Sequence, residues 1–186
     1  MDDLTRLAIS ARDGDRIALA AFVRNTQAEV WRLCAALTDR DAADDLTQDV
    51  YLRAIAALPS FRAESSARTW LLSIAHRSCA DGIRRRMRRR ALTERLAARR
   101  RPTTEVDPAG AVDVTLLISA LEPERRVAFV LTQLIGLGYG EAAEVVGCPI
   151  GTIRSRVARA RDDLVAAVQS AEMSAPSAAS FPTKSS

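Results

Sequence analysis

Apolar residues recur three or four positions apart along most of the chain, a spacing that places them on one face of an α-helix. Phe22, Val30, Leu33 and Leu37 follow it within a segment that we expect to form one long helix, 16–38. No segment shows the convincing alternation of apolar and polar residues that marks a half-buried strand. The pattern therefore predicts an all-α fold with bundle-like packing.

Breaks in this pattern divide the chain into parts. Asp39 or Asp41 is a suitable N-cap for a helix that ends near Leu58. Residues 59–67 read as a loop, and a further helix begins near Arg68. We expect two small helical domains, 8–90 and 113–169, joined by a short flexible linker over 91–112. The small-residue segment 170–186 is expected to be a disordered tail.

The second domain contains a helix-turn-helix pattern. A short helix over 139–146 is followed by Gly147, which tolerates positive φ, and by Pro149, which suits a first helical turn. The next helix, over 149–165, carries Ile153, Val157, Ala160 and Leu164 in one narrow arc, with four arginines around its other faces. The pattern favours a helix that reads DNA over a structural hairpin with a solvated basic face.

Charge is distributed unevenly. Net charge is only +4, yet residues 50–101 hold 14 arginines against three acidic residues. Six of these arginines lie within 84–90, on all sides of a helix, so they do not form a one-sided amphipathic face. Such density favours phosphate binding, and a solvated, frayed helix end is the alternative.

The sequence gives little support to a membrane protein, a secreted protein, a metal-binding protein or an enzyme. No apolar run approaches the length of a membrane span, and the N-terminus lacks the features of a signal peptide, so we expect a cytoplasmic protein without membrane insertion. Three scattered cysteines form neither a disulfide framework nor a zinc ligand set. His76 and Cys79 have a zinc-like spacing, but a second ligand pair is missing. We therefore expect no cofactor, no bound metal and no catalytic activity.

An acidic row, Asp41, Asp45 and Asp49, lies one helical turn apart with Gln48 beside it. Three interpretations compete. The row could bind Mg²⁺ as in a terpenoid synthase, although 4% aromatic residues are too few to line such a cavity. The acids could simply stabilise the N-terminus of the helix through the helix dipole, or they could form a docking face for a basic partner protein.

Two stretches carry a family resemblance. DAADDLTQDVYLRAIAALPSFRAESSARTWLLSIA resembles region 2 of extracytoplasmic-function (ECF) RNA polymerase sigma factors, and GYGEAAEVVGCPIGTIRSRVARAR resembles their region 4. The resemblance implies a transcription initiation factor that binds core RNA polymerase and promoter DNA. It favours docking for the acidic row.

The resemblance also implies roles for individual residues. The helix that grips the β′ clamp helices of polymerase would present Asp44, Asp45, Leu46, Gln48, Asp49 and Arg53. The −10 element would be captured and melted by Phe61, Arg62, Ser65, Ser66, Arg68, Trp70, Arg77, Arg84, Arg85 and Arg88. The −35 element would be read in the major groove by Thr152, Arg154, Ser155, Arg156 and Arg159, and region 4 would contact the β flap. Arg154 or Arg159 could make a bidentate contact with guanine.

Two residues depart from the pattern of the family, and the length of the linker also bears on this interpretation. Arg77 stands where the family often has an asparagine implicated in −10 recognition, and Gly138 leaves the helix 139–146 without the usual capping side chain. The linker of about 22 residues, at roughly 3.3 Å each, spans about 70 Å, or two turns of B-DNA. A separate anti-sigma factor is a possible partner. The alternative function is a stand-alone helix-turn-helix regulator that acts without polymerase.

Overall fold

A computed structural model describes residues 1–96 and 114–174, and these residues form helices without a strand. The expected all-α architecture is therefore confirmed for this part of the chain. The α-helices, in chain order, are α1 (Asp3–Arg12), α2 (Arg16–Leu37), α3 (Arg40–Ala57), α4 (Ala67–Leu96), α5 (Val114–Ala120), α6 (Pro123–Phe129), α7 (Tyr139–Val146) and α8 (Ile150–Ser174). A 3-10 turn over Leu58–Ser60 follows α3, and a π-helical turn over Val130–Leu134 continues α6.

Aspartates begin the first three helices. Asp2 accepts from the Thr5 amide, Asp15 from the Ile17 and Ala18 amides, and Asp39 from the Ala42 amide. Each carboxylate satisfies amides that the first helical turn leaves without a partner. Of the two caps considered for α3, the structure selects Asp39, and Asp41 falls within the first turn.

The core of the first domain lies between α2, α3 and α4. The four apolar residues predicted to line α2 are all buried, and Leu71 and Leu72 of α4 are each 1% exposed. At Gly82 the helices α3 and α4 approach so closely that an added Cβ would lie 3.0 Å from Leu46 Cδ2. Glycine at this position permits the close packing that directs the outer face of α3 to solvent.

The second domain packs directly on the first. α4 contacts α7, and α2 contacts both α5 and the π-helical turn. The buried apolar residues of both domains form one continuous cluster. At the junction Arg68 pairs with Glu29 of α2, with Nε 3.0 Å from Oε1, and donates through Nη2 to the Ile135 carbonyl at 2.8 Å. One guanidinium thus links α2, α4 and the second domain.

The helix-turn-helix has the predicted form. α7 spans the expected residues, and Gly147 ends it with φ of 75° while its amide donates to the Ala143 carbonyl at 2.8 Å. Ile153, Val157 and Ala160 of α8 are buried, as the wheel predicts. Pro149 lies one residue before α8 and caps it through its carbonyl, which accepts from Thr152 at 2.9 Å.

Domain limits shift from those expected. α4 continues to Leu96, past the predicted start of the linker, and α8 continues to Ser174, past the predicted start of the tail. The rest of both segments, 97–113 and 175–186, lies outside the described residues. Within the described ranges, none of the helices combines the length and hydropathy that crossing a membrane would need.

Gly147 provides a test of the turn. We predict that Gly147→Ala lowers the free energy of unfolding by about 1 kcal/mol, because a Cβ in the left-handed region is strained although nothing lies within 4 Å of it. Gly140→Ala, within α7, is the matched control and should be neutral or stabilising by up to about 1 kcal/mol. Urea denaturation checks both, and equal effects would contradict the assignment.

Candidate docking and nucleic-acid interfaces

The outer face of α3 is acidic and polar. Asp44, Asp45 and Gln48 are exposed, and Asp44 Oδ1 accepts from Trp31 Nε1 at 2.8 Å. Leu46 is 7% exposed and packs towards Gly82. Leu46 therefore packs in the core in this structure, and its expected contact with a partner stays a prediction.

An apolar residue missing from the predicted set extends this face. Leu52 is 68% exposed and lies one helical turn after Gln48, and Ile55 is 45% exposed one turn further on. Neighbouring exposed apolar residues form a patch, and exposed apolar patches rimmed by polar residues mark protein interaction sites. The four-residue spacing of Gln48 and Leu52 places both on the same face of a helix, and this spacing could have predicted Leu52 as part of the docking face.

Most of the described arginines late in α4 are paired with acids. Arg85 lies 3.3 Å from Asp49, Arg84 lies 2.6 Å from Asp81, and Arg86 pairs with Asp39. These pairs are exposed, so each contributes little to stability and can be exchanged for a phosphate. Asp49 of α3 and its N-cap Asp39 thus lie against cations of α4, an arrangement that local sequence patterns do not reveal, whereas Arg84 and Asp81 pair within α4.

Asp81 is the most strongly held of these carboxylates. Arg53 Nη1 lies 2.9 Å from one of its oxygens and Arg84 Nη2 lies 2.6 Å from the other. The bond from Arg53, then that from Arg84, lowers the pKa of Asp81 to about 2. Arg53, expected on the docking face, therefore also ties α3 to α4, whereas Arg88 is exposed.

The loop before α4 is built on a buried phenylalanine. Phe61 is 4% exposed, its ring centroid lies 5.0 Å from that of Trp70, and Arg12 Nη1 donates to its carbonyl at 3.1 Å. Arg62 is exposed, and Ala63 has a positive φ of 56°. The Phe61 ring is packed beneath the loop in this structure, and its expected contact with a base stays a prediction.

The polar residues around this loop have distinct positions. Ser65 is half-buried, and Ser66 caps α4, since its Oγ accepts from the Thr69 amide at 3.1 Å. Trp70 is half-buried, with Arg77 exposed two turns further along α4. Arg77 Nε donates to the Ser73 carbonyl at 3.1 Å and Nη2 to Ser73 Oγ at 2.9 Å. The cation is thereby held along α4 on its exposed side.

The thiols and the histidine of the first domain form no metal site. Cys34 and Cys79 are buried and lie within hydrogen-bonding reach of each other, which lowers the pKa of Cys34 and raises that of Cys79. Burial lowers the pKa of His76. Across 1–96 and 114–174, no three histidine, cysteine or acidic residues converge in a way that could hold a metal ion. Of the aspartates of α3, Asp41, Asp44 and Asp45 are exposed and Asp49 is half-buried.

The arginines of α8 differ in their surroundings. Arg154 and Arg159 are exposed, together with Ser155, whose hydroxyl donates to the Thr152 carbonyl at 3.0 Å. The Arg156 side chain is only 22% exposed and pairs with Glu124 of α6. Arg156, expected to contact DNA, is therefore engaged in fastening α8 to α6 in this structure.

The start of α7 is better capped than the sequence suggested. Gly138 offers no side chain, but Glu141 Oε2 accepts from its amide at 2.9 Å. This is the glutamate half of a capping box, in which the third helical residue reaches back to the cap. The expected weakness at Gly138 is thus partly offset, and the glutamate three residues later was the missed signal.

Arg68 and Glu29 form the least exposed ion pair among the described residues. The Arg68 side chain is 29% exposed and that of Glu29 is 15% exposed. Glu29 raises the pKa of Arg68. We predict that Arg68→Met lowers the free energy of unfolding by about 1–3 kcal/mol, after allowance for partial exposure, because Glu29 loses its partner.

Two further variants complete this test by urea denaturation. Arg62→Met, an exposed neighbour, should change stability by less than about 0.5 kcal/mol. Adding Glu29→Leu to Arg68→Met should recover part of the loss, since the unpaired carboxylate is removed. If Arg68→Met behaves like Arg62→Met, the link does not stabilise the junction.

Comparisons with known families match both domains. A family model described as sigma-70 region 2 matches residues 22–89, and one described as sigma-70, region 4 matches residues 111–164. The ECF RNA polymerase sigma factor SigC of Mycobacterium tuberculosis is 52% identical over 170 residues, covering 88% of this chain and 90% of that protein. The ECF RNA polymerase sigma-E factor of Escherichia coli is 28% identical over 181 residues, covering 84% and 89%.

Solved structures show the same architecture. The sigma factor RpoE from Bartonella quintana, in complex with the anti-sigma factor NepR, superimposes with a TM-score of 0.68 at 27% identity, covering 81% of this chain and 96% of that one. CnrH, in complex with the cytosolic domain of CnrY, gives a TM-score of 0.69 at 23% identity, covering 90% and 99%. The likeness to CnrH concerns the fold alone.

Proposed function

Because the chain belongs to the sigma-70 family of RNA polymerase sigma factors, and within it to the ECF group, we propose that its three exposed surfaces divide the work of promoter-specific initiation. The family and the alternative sigma-factor role predicted from the sequence are both confirmed. The observation that carries the proposal is the order of the surfaces along the chain. A docking face on α3, a loop with cations on α4 and a reading face on α8 follow one another within the matched regions.

Polymerase binds the outer face of α3 in this proposal. Asp45 and Gln48 supply polar contacts, and Leu52 supplies an apolar centre that a flat acidic surface would lack. Asp44 and Asp49 contribute charge while held by Trp31 and Arg85. Such a face suits a partner with basic side chains around an apolar patch, as the β′ clamp helices of polymerase would provide.

The −10 element is melted at the loop and the first half of α4. Arg62 and Ser65 approach the displaced strand, while Trp70 offers a half-exposed ring for stacking with Phe61 supporting it from beneath. Arg84, Arg85 and Arg88 bind phosphates further along α4. The exposed ion pairs of Arg84 and Arg85 exchange for phosphates at small cost.

The −35 element is read by α8. Arg154 and Arg159 project from its exposed side with Ser155 between them, and Thr152 lies nearer the first turn. This is the part of a recognition helix that enters the major groove. Arg156 contributes by holding α8 in place on Glu124, and region 4 contacts the β flap with its remaining surface.

Binding both elements requires the domains to separate. They are in contact here through Arg68 and Ile135, whereas two turns of B-DNA extend about 70 Å. Polymerase binding would supply the free energy for this opening. We further propose a separate anti-sigma factor as a partner, a cytoplasmic location and no catalytic activity of the chain itself; the B. quintana relative, solved with an anti-sigma factor, supports the first. The comparisons do not favour the stand-alone regulator.

Polymerase binding is tested by charge reversal on α3. We predict that the wild-type chain binds purified bacterial core RNA polymerase stoichiometrically and that Asp45→Lys weakens this binding at least about tenfold, since an exposed acid becomes a cation facing basic groups. Asp3→Lys on α1, also exposed, is the matched control and should bind as the wild type does. Equal binding by all three proteins would contradict the assignment to α3.

Base reading is tested at Arg154. We predict that Arg154→Ala costs about 1–3 kcal/mol of discrimination at one base pair of the −35 element, because a bidentate contact is lost. Competition binding of the polymerase complex to duplexes that differ at single positions measures the loss. Uniform weakening on every duplex would instead identify a phosphate contact.

A further inference from the structure

The four arginines in the first half of α8 divide into two pairs. Arg156 pairs with Glu124, and Arg161 Nη2 lies 3.0 Å from Gln133 Oε1. Both therefore fasten α8 to the preceding helical segment, and Arg125 adds to this by lying 2.6 Å from Asp163. Arg154 and Arg159 are exposed. Arg156 and Arg161 thus make polar contacts with the preceding segment, although Arg161 is itself exposed, and Arg154 and Arg159 face solvent.

Arg154 lies beside an aromatic ring, that of Tyr139. Its guanidinium carbon lies 6.0 Å from the centroid of the Tyr139 ring, within the range of a cation–π interaction. A guanidinium that stacks through its face keeps its N–H groups free at the edge. Those N–H groups are the ones that form the bidentate contact with guanine O6 and N7.

Tyr139 itself is fixed by the fold. It is the first residue of α7, whose start is held by the bond from the Gly138 amide to Glu141. Ala142 and Ala143 are buried and α7 packs against α8, so the half-buried ring has a defined position relative to Arg154. A long arginine side chain that is held before binding loses less conformational entropy when it binds.

We propose that Tyr139 is a positioning residue for −35 recognition: its ring holds Arg154 with the guanidinium edge directed at the base pair that Arg154 reads. The proposal rests on the proposed function of α8. It makes specificity at one base pair depend on a residue of the first helix of the helix-turn-helix, which does not itself touch the base. Tyr139→Phe keeps the ring, whereas Tyr139→Leu keeps an apolar side chain without a π face.

The experiment measures binding of the full chain, assembled with core polymerase, to promoter duplexes that carry each single substitution in the −35 element. Tyr139→Leu is expected to reduce discrimination about two- to fivefold at the base pair that Arg154→Ala affects, and to leave other positions and the salt dependence unchanged. Tyr139→Phe should retain the wild-type profile. Adding Tyr139→Leu to Arg154→Ala should cause no further loss at that base pair.

Other results would overturn the proposal. Uniform weakening by Tyr139→Leu on all duplexes would indicate a structural role or a phosphate contact, and additive losses in the double variant would show that the two residues act independently. Urea denaturation of each variant separates a folding defect from a binding defect. A wild-type complex that shows no −35 preference at all would refute the proposed function of α8, whereas a wild-type preference kept by Tyr139→Leu would refute only the role of Tyr139.

Discussion

Burial of the first half of α4 is the constraint on which the rest of the structure depends. The helix contacts α1, α2 and α3 of the first domain and α7 of the second, and its described buried residues, from Ala67 to Cys79, lie in this half. Its start is fixed by Thr5, whose Oγ1 accepts from the Ala67 amide at 3.0 Å, and by Arg68, which reaches both Glu29 and Ile135. A helix buried on several sides cannot shift without disturbing every element around it. The loop that precedes it and the arginines that follow it are positioned by that burial.

The second half of α4 is exposed and strongly basic, and acids on and beside α3 offset part of its positive charge. A run of arginines repels itself, and three acids lie against its members: Asp49 of α3, Asp39 at the N-cap of α3, and Asp81 of α4 itself. Because these pairs are exposed, each contributes little to stability, and the arginines can leave them for another anion. The same helix α3 can therefore pair with arginines of its own chain on one flank and offer Asp45, Gln48 and Leu52 to a partner on another. The docking face and the phosphate-binding arginines proposed above are neighbours on the first domain for this electrostatic reason.

The parts predictable from the sequence were those set by local periodicity and backbone preference. The buried face of α2, the length of α7, the positive φ at Gly147 and the buried edge of α8 all follow from residues within one or two helical turns. The surroundings that the sequence did not predict arise from contacts between distant residues. The burial of Phe61 depends on Trp70 and Arg12, and the engagement of Arg156 depends on Glu124, 32 positions away. Leu46 shares the buried face of α3 with Val50 and Ala54 and packs towards Gly82, whereas Leu52 lies on the exposed side of the helix.

The central claim is that one chain reads two promoter elements at once while bound to polymerase. The most direct measurement is run-off transcription by purified core RNA polymerase with this chain, first on genomic fragments to find the two-part motif, then on templates with altered spacing. We predict transcripts that begin a fixed distance from the motif and depend on the added chain. Inserting about five base pairs between the elements should abolish them, because half a helical turn moves the −35 element to the opposite face of the DNA. Transcription that ignores the spacing, or tight duplex binding without any effect on initiation, would contradict the account.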